Sequence, residues 1–137
     1  MPTINGVLET ALYVEDVERS IAFYQKLFGF PLMLQEERIG ALNVADHQVL
    51  LLFKKGASTQ PMPYPGGTIP PHDGSGNLHL AFAIGAEELK VWEDRLLEQQ
   101  IPIESIARAD RGGHSLYFRD PDHHLIELAT PGLWPNY

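Results

Sequence analysis

The stretch that decides the fold is Leu8-Glu9-Thr10-Ala11-Leu12-Tyr13-Val14, because its plan returns seventy residues later as Leu78-His79-Leu80-Ala81-Phe82-Ala83-Ile84. Both stretches alternate in polarity and have high β propensity, which predicts half-buried strands. A helix is predicted after the first strand, with Asp16 as its N-cap and Gly29 just past its end. Its apolar face is formed by Val17, Ile21, Tyr24 and Phe28.

The second half repeats this order. A helix is predicted from about Ala86 to Gln100, with Leu89, Trp92 and Leu96 facing the core and Pro102 marking its end. Each half then continues with strand-like stretches, which are 41–44 and 49–53 in the first half and 115–118 and 125–129 in the second. Turns at Asp46 and at Asp120-Pro121-Asp122 separate them. The sequence therefore predicts an α+β protein with modules at residues 1–55 and 78–137.

The segment between the modules, residues 56–77, is rich in Pro, Gly, Ser and Thr. This composition predicts no packed element. It is typical of a linker or of a loop that closes over something, and long loops inside compact domains are often functional. His72 and Asp73 lie in it, although a lone histidine in a loop is more often solvated than a ligand.

Composition narrows the function classes. The chain has 137 residues, of which 44% are hydrophobic and 20% charged, a balance typical of a globular domain. Its net charge of −8 and scattered cations disfavour nucleic acid and anionic membranes as partners. Cysteine is absent, which excludes disulfides, thiolate metal sites and cysteine nucleophiles. There is neither a signal-peptide pattern nor an apolar run that would span a bilayer, so a cytoplasmic protein is expected.

Three side chains stand out as candidate metal ligands. Glu127 interrupts the apolar stretch 125–129, and a buried carboxylate needs a proton, solvent or a cation. Glu9 raises the same question in its own strand. His79 occupies the place of Glu9 in the repeat, and a pseudo-twofold axis relating the modules would bring the two together. Each residue alone also has a plain interpretation, as a solvent-facing glutamate or a hydrogen-bonded histidine of a sheet.

The motifs resemble those of the vicinal oxygen chelate superfamily, which includes glyoxalase I, extradiol dioxygenases and bleomycin-resistance proteins. The matching stretches are Glu9–Asp16, Ser20–Tyr24, Leu27–Phe30, His79–Phe82, Ser115–Asp122 and Ile126–Leu128. The resemblance implies two βαβββ modules that form a U-shaped mixed sheet around one metal, paired within a chain or across a homodimer.

By position, the resemblance makes Glu9, His79 and Glu127 the ligands of one divalent cation, with Mn²⁺, Fe²⁺, Ni²⁺, Zn²⁺ and Mg²⁺ all compatible. His or Gln is common where this chain has Glu9. A further carboxylate of glyoxalase I falls on Leu51, so a four-ligand site is not expected. The fosfomycin-modifying branch is a weaker match, because its first-strand Thr falls on Ala11 and its substrate-binding Lys on Ala107. Tyr117 does match a substrate-facing Tyr of that branch.

The leading functional hypothesis is a metal-dependent enzyme with glyoxalase-like lyase or isomerase chemistry on a small molecule chelated through vicinal oxygens. Glu127 or Glu9 would act as the general base, while Tyr117, Arg111 or His114 orients the substrate. Ala11 is expected to bind the substrate as well, since its small side chain leaves space for it. One alternative is a ring-cleaving dioxygenase. The other is a metal-free binding protein of the bleomycin-resistance type, in which Trp92 or Trp134 and the Pro/Gly loop form a stacking groove.

Overall fold

The computed structural model describes residues 1–137 and divides the chain into two compact units, Met1–Gly76 and Asn77–Tyr137. Each unit carries one helix beside a four-stranded mixed sheet, and the second also has a short 3₁₀ turn. The predicted α+β class and the repeated βαβββ order are therefore confirmed. No helix of the structure combines the length and the apolar character needed to cross a membrane.

The first unit follows the repeat that its sequence predicts. Its elements are β1 (Glu9–Val14), α1 (Val17–Phe28), β2 (Leu32–Gln35), β3 (Ile39–Val44) and β4 (Gln48–Lys54). The strands lie in the order β1-β4-β3-β2, with β1 parallel to β4 and the other neighbours antiparallel. Since side chains alternate along a strand, Leu12 and Val14 point into the core, whereas Glu9, Ala11 and Tyr13 lie on the opposite face.

Helix α1 begins and ends where the sequence predicts. The Asp16 carboxylate accepts the backbone N–H of Arg19 at 3.0 Å, which satisfies one of the free donors of the first turn. At the other end Gly29 adopts a left-handed conformation, with φ 73°, and its N–H donates to the carbonyl of Gln25. The buried face consists of Val17, Ser20, Ile21, Tyr24 and Leu27.

The Pro/Gly segment is more structured than its composition predicts. Strands β5 (Met62–Tyr64) and β6 (Gly67–Ile69) pair as an antiparallel hairpin, so the expectation that nothing packs in this segment is wrong. The reason is local turn chemistry. Pro65 fixes its own φ, and Gly66, with φ 83°, supplies the positive angle that the third residue of a type II turn needs. The same prolines and glycines that suggested a linker therefore build a hairpin.

The second unit contains β7 (His79–Ala83), α2 (Leu89–Glu98), β8 (Ser105–Arg108), β9 (His114–Arg119) and β10 (Leu125–Ala129). Their order is β7-β10-β9-β8, with β7 parallel to β10, as in the first unit. The helix is shorter than predicted, because residues 86–88 form a 3₁₀ turn whose N-terminus has no side-chain cap. Leu96 is fully buried, whereas Leu89 and Trp92 are only half-buried.

The turn between β9 and β10 is held by one buried carboxylate. Asp120 accepts the backbone N–H groups of Asp122 and His124 at 3.0 and 2.9 Å, as the turn chemistry of the sequence predicts. The buried His124 ring in turn accepts the N–H of Leu78 at 2.9 Å. This network fixes the start of β10 against the start of β7, and so it sets the register that brings His79 beside Glu127.

Candidate metal and substrate site

Glu127 is a carboxylate buried in the middle of an apolar strand. Its side chain is 6% exposed, and its neighbours Ile126 and Leu128 are fully buried on the opposite face of β10. One oxygen, Oε2, lies 3.1 Å from Nε2 of His79, whereas Oε1 is buried without a hydrogen-bond partner. Because an unpartnered buried carboxylate oxygen is costly, this atom marks a place where a ligand of positive charge would be stabilised.

His79 is oriented by its own backbone surroundings. Its Nδ1 lies 2.9 Å from the carbonyl oxygen of Leu125, the residue beside it on the neighbouring parallel strand. A carbonyl only accepts, so Nδ1 carries the proton and donates it, which leaves Nε2 with a lone pair when the ring is neutral. Metal-binding histidines are commonly held in this way, by a hydrogen bond from the ring nitrogen that does not face the metal.

Tyr117 and Ala81 complete the surroundings of Glu127. The register pairs Glu127 with Tyr117 on one side and with Ala81 on the other. The Tyr117 ring centroid lies 6.5 Å from that of His79. The small side chain of Ala81 leaves room next to the carboxylate.

A pocket of ≈ 400 Å³ adjoins this group and is lined by His79, Glu104, Ser105, Tyr117, Arg119 and Leu125. Arg119 donates to both oxygens of Glu104, at 2.7 and 3.0 Å. These hydrogen bonds hold the pKa of the Glu104 carboxyl below its usual range. Glu104 therefore stays an acceptor at neutral pH, and sequence reasoning missed this pair because its residues are 15 positions apart.

Arg111 and His114 do not join the Glu127 group. On β9, His114 has the same parity as Leu116 and Phe118, which are fully buried on the face opposite to Tyr117. Arg111 lies in the exposed turn before that strand. The sequence suggested both because they are near Tyr117 along the chain, but alternation separates their faces.

Glu9 and Ala11 lie on one face of β1 in the first unit, at positions equivalent to His79 and Ala81 in the second. The pairing of Glu9 with Val49 matches that of His79 with Leu125. Ala11 pairs with Leu51 as Ala81 pairs with Glu127. Leu51 is thus the structural counterpart of Glu127, which agrees with the missing fourth ligand that the sequence predicts.

The first unit has a pocket of its own, which the sequence did not reveal. It measures ≈ 550 Å³ and is lined by Glu9, Ala11, Tyr13, Arg38, Ile39, Leu51, Phe53, Tyr64, Ile69 and His72. The Tyr13 hydroxyl lies 2.8 Å from Nδ1 of His72, and the His72 ring meets Phe53 edge-on at 4.5 Å. The Pro/Gly segment thus folds over the sheet face that carries Glu9, and His72 is a wall residue rather than a solvated one.

The donor set fits a divalent cation. The buried oxygen of Glu127 has no partner, and the His79 imidazole is held by an orienting hydrogen bond. Both are donors of the kind that bind divalent cations. The structure places no three His, Asp or Glu side chains together as a group of metal-ligating geometry. His79 and Glu127 are thus the part of the predicted set that the second unit brings together by itself.

The comparisons with known proteins point to one family. Residues 6–128 match the model of the glyoxalase/bleomycin resistance protein/dioxygenase superfamily. A metallothiol transferase FosB of Lysinibacillus sphaericus is 27% identical over 132 residues, which cover 96% of this chain and 86% of the relative. The structure of a lactoylglutathione lyase from Agrobacterium tumefaciens has a TM-score of 0.88 and 29% identity, covering 98% of this chain and 99% of that one.

A third relative was solved with a metal. The fosfomycin resistance protein FosX of Listeria monocytogenes, complexed with Mn(II) and sulfate, has a TM-score of 0.68 and 25% identity over 93% of this chain and 91% of its own. Two of these relatives are enzymes by name, and the third was solved with bound Mn(II). They come partly from the fosfomycin branch that Ala11 and Ala107 had made a weaker match. A metal-dependent enzyme is favoured over the ring-cleaving and metal-free alternatives. The chain belongs to the glyoxalase/bleomycin resistance protein/dioxygenase superfamily, and its expected cofactor is a divalent metal ion.

Proposed function

We propose that Glu127, His79 and Glu9 hold one divalent cation and that the enzyme moves a proton on a small substrate with two adjacent oxygen atoms. The strongest support is the buried Oε1 atom of Glu127, which has no hydrogen-bond partner. Nε2 of His79 faces the other oxygen of the same carboxylate. Glu9 would come from the first unit, of the same chain or of a second copy in a homodimer.

The bound cation would supply Lewis-acid polarisation of the two substrate oxygens. The protein's own residues would do the rest. A carboxylate oxygen of Glu127 would accept the proton from the carbon next to the polarised carbonyl and then return it to the neighbouring carbon. The Glu127 side chain is only 6% exposed, and a poorly solvated carboxylate is a stronger base. Tyr117, opposite Glu127 on β9, would orient the substrate through its hydroxyl.

Metal analysis is the direct test. Protein purified without added metal or chelator is expected to carry close to one divalent ion per chain, and His79→Ala, Glu127→Gln and Glu9→Ala are each expected to lose it. His123→Ala is the matched control, since it removes an exposed histidine of the same unit. If the three variants bind Mn²⁺ as tightly as the wild type, the proposed ligand set is wrong.

The reaction itself is tested by proton exchange. In D₂O with Mn²⁺, the wild type is expected to catalyse deuterium incorporation next to the carbonyl of small 2-hydroxycarbonyl compounds and thiohemiacetals, followed by NMR. Glu127→Gln should abolish exchange even at metal concentrations that saturate the remaining ligands. Exchange that survives this substitution would exclude Glu127 as the base.

A second candidate function is transfer of a thiol to a small electrophile, which the names of the FosB relatives favour. Ala11 and Ala107 stand against it, because the resemblance to that branch predicts a threonine and a lysine there. Fosfomycin incubated with cysteine or glutathione, Mn²⁺ and the protein would settle the point by mass spectrometry. A thiol adduct formed only with active protein would replace the lyase or isomerase proposal.

We further propose that the protein is cytoplasmic.

A further inference from the structure

We propose that the pocket of the first unit is an anion-binding subsite, in which Arg38 holds the carboxylate or phosphate group at the far end of an elongated substrate. The other end of the substrate, near Glu9, would chelate the metal. Only the role of that end rests on the proposed function. Arg38 was not among the site residues that the sequence suggested, although Glu9 and Ala11 of the same pocket were.

Arg38 is a positioned guanidinium without an acidic partner. Its Nη1 donates to Oγ of Ser58 at 3.0 Å, and its Nη2 donates to Sδ of Met62 at 3.1 Å. Its guanidinium carbon lies 5.8 Å from the centroid of the Phe53 ring. A guanidinium has five N–H groups, so these contacts leave three of them for a ligand. Arg38 is half-buried, and no carboxylate forms an ion pair with it.

The electrostatics of the pocket favour an anion at this end. Among the lining residues, Arg38 is the only permanent cation and Glu9 the only carboxylate. The protein as a whole carries a net charge of −8, so a negatively charged ligand is repelled unless a local cation holds it. A planar guanidinium with free donors suits the paired oxygens of a carboxylate or phosphate.

Between the two ends the pocket is lined by apolar side chains. Ala11 and Leu51 line it, and the register aligns them in one row with Ala41 across β1, β4 and β3. In the equivalent row of the second unit, Glu127 and Tyr117 occupy the positions of Leu51 and Ala41. The first unit therefore has apolar residues where the second has polar ones. Ile69 and Tyr64 of the hairpin form the outer wall, and both are exposed apolar side chains that a ligand would cover.

The length of the substrate follows from the strand geometry. Glu9 and Tyr13 are four residues apart on β1, and Tyr13 lies in the row of Phe53 and Ile39, next to Arg38. At about 3.3 Å per residue, the two ends of the pocket floor are roughly 13 Å apart. Since both side chains reach inward, the ligand groups they bind would be separated by on the order of 10 Å.

Binding of simple anions tests the Arg38 end without any metal. Benzoate, phenylphosphonate and uncharged benzamide are titrated into the full-length protein in the presence of chelator, and the Arg38 Nε–H signal and the Ala11 methyl signal are followed by NMR. We expect benzoate or phenylphosphonate to bind and benzamide to bind far more weakly. The stronger of the two anions identifies a carboxylate or a phosphate as the natural group. Equal binding of benzamide and both anions would overturn the proposal.

Matched variants separate a built site from general charge. Arg38→Gln is expected to weaken anion binding by about ten- to a hundredfold, as loss of charge-assisted hydrogen bonds should. Lys54→Gln removes the same charge from the adjacent strand outside the pocket and should change nothing. Arg38→Lys should retain part of the affinity, which guards against a folding defect. Equal losses in the glutamine variants would overturn the proposal.

A two-ended probe tests the link to the metal. With Mn²⁺ present, 2-oxoglutarate and its longer 2-oxo diacid homologues carry a chelating end and an anionic end at increasing separation. Longer homologues are expected to bind more tightly than 2-oxoglutarate, and Arg38→Gln should remove that advantage. Equal affinity along the series would refute the predicted span. If the protein binds no Mn²⁺ at all, the proposed function fails while the chelator-treated titrations still decide the role of Arg38.

Discussion

Glu127→Leu should make the metal-free protein more stable while destroying its metal site. The substitution copies the first unit, where Leu51 occupies the equivalent position opposite an alanine. It removes a carboxylate that is 6% exposed and has one buried oxygen without a partner. A buried unsatisfied polar group costs about 1–3 kcal/mol, so its removal should return free energy of that order.

The loss that opposes this gain is small. Glu127 also gives up its 3.1 Å contact with His79, but that histidine side chain is 51% exposed and water can replace the carboxylate. Contacts between polar groups that reach solvent contribute about 0–1 kcal/mol. The expected net effect is therefore a stabilisation of about 1–2 kcal/mol.

Urea unfolding in the presence of chelator is the measurement, and Leu128→Ala is the control. Leu128 is fully buried on the same strand, and its truncation should cost about 2–5 kcal/mol. Added Mn²⁺ should stabilise the wild type through linkage but leave the Glu127→Leu variant unchanged. If Glu127→Leu unfolds more easily than the wild type in the absence of metal, the inference that the Glu127 carboxylate destabilises the metal-free fold is wrong.

Three other predictions concern the supports of the site. Asp73→Asn should loosen the loop, because the Asp73 carboxylate accepts the Gly56 N–H, and this hydrogen bond lowers the pKa of Asp73. The extra stability of the wild-type loop should be present above the ordinary pKa of 3.8 and be lost as pH falls through the lowered value. Hydrogen exchange at the Gly56 amide would measure it. Gly74→Ala should destabilise by about 1–3 kcal/mol in urea, because its Cβ would lie 2.3 Å from the Tyr13 ring. Tyr137→Phe should cost about 1 kcal/mol at neutral pH. Burial raises the pKa of that hydroxyl, so its hydrogen bonds should persist past the ordinary value of 10.0 and be lost as pH rises through the higher one, as absorbance titration would show.

Much of the fold was predictable because its signals are local. Asp16 and Gly29 carry the capping chemistry of α1, and alternation places Leu12 and Val14 inside. The repeat then transfers each assignment to the second unit. The hairpin at 62–69 was missed because prolines and glycines weaken the period-two signal on which strand prediction depends, although the Pro65-Gly66 pair is itself a turn signal.

The candidate site was predictable where it depends on a strand pattern and not where it depends on contacts between distant residues. Glu127 stands out as a charge within an apolar strand, and His79 shares its face with two alanines. Arg38 and His72 gave no such signal, since each lies in irregular chain, and only the folded loop brings His72 to Tyr13. Arg111 and His114 show the opposite error, in which closeness along the chain suggested a shared face.

The loop from Gly56 to Asp73 is tied together at its base. Asp73 accepts the N–H of Gly56 at 3.1 Å, and the N–H of His72 donates to the carbonyl of Ser58 at 2.9 Å. Because its ends are fixed to each other rather than stretched between strands, the intervening segment can change in length at an entropic cost that grows only with the logarithm of its size. The segment between these ties should therefore tolerate replacement by segments of other sequence and length. Libraries that vary residues 59–71 would reshape one wall of the pocket while leaving the sheet that carries Glu9 intact.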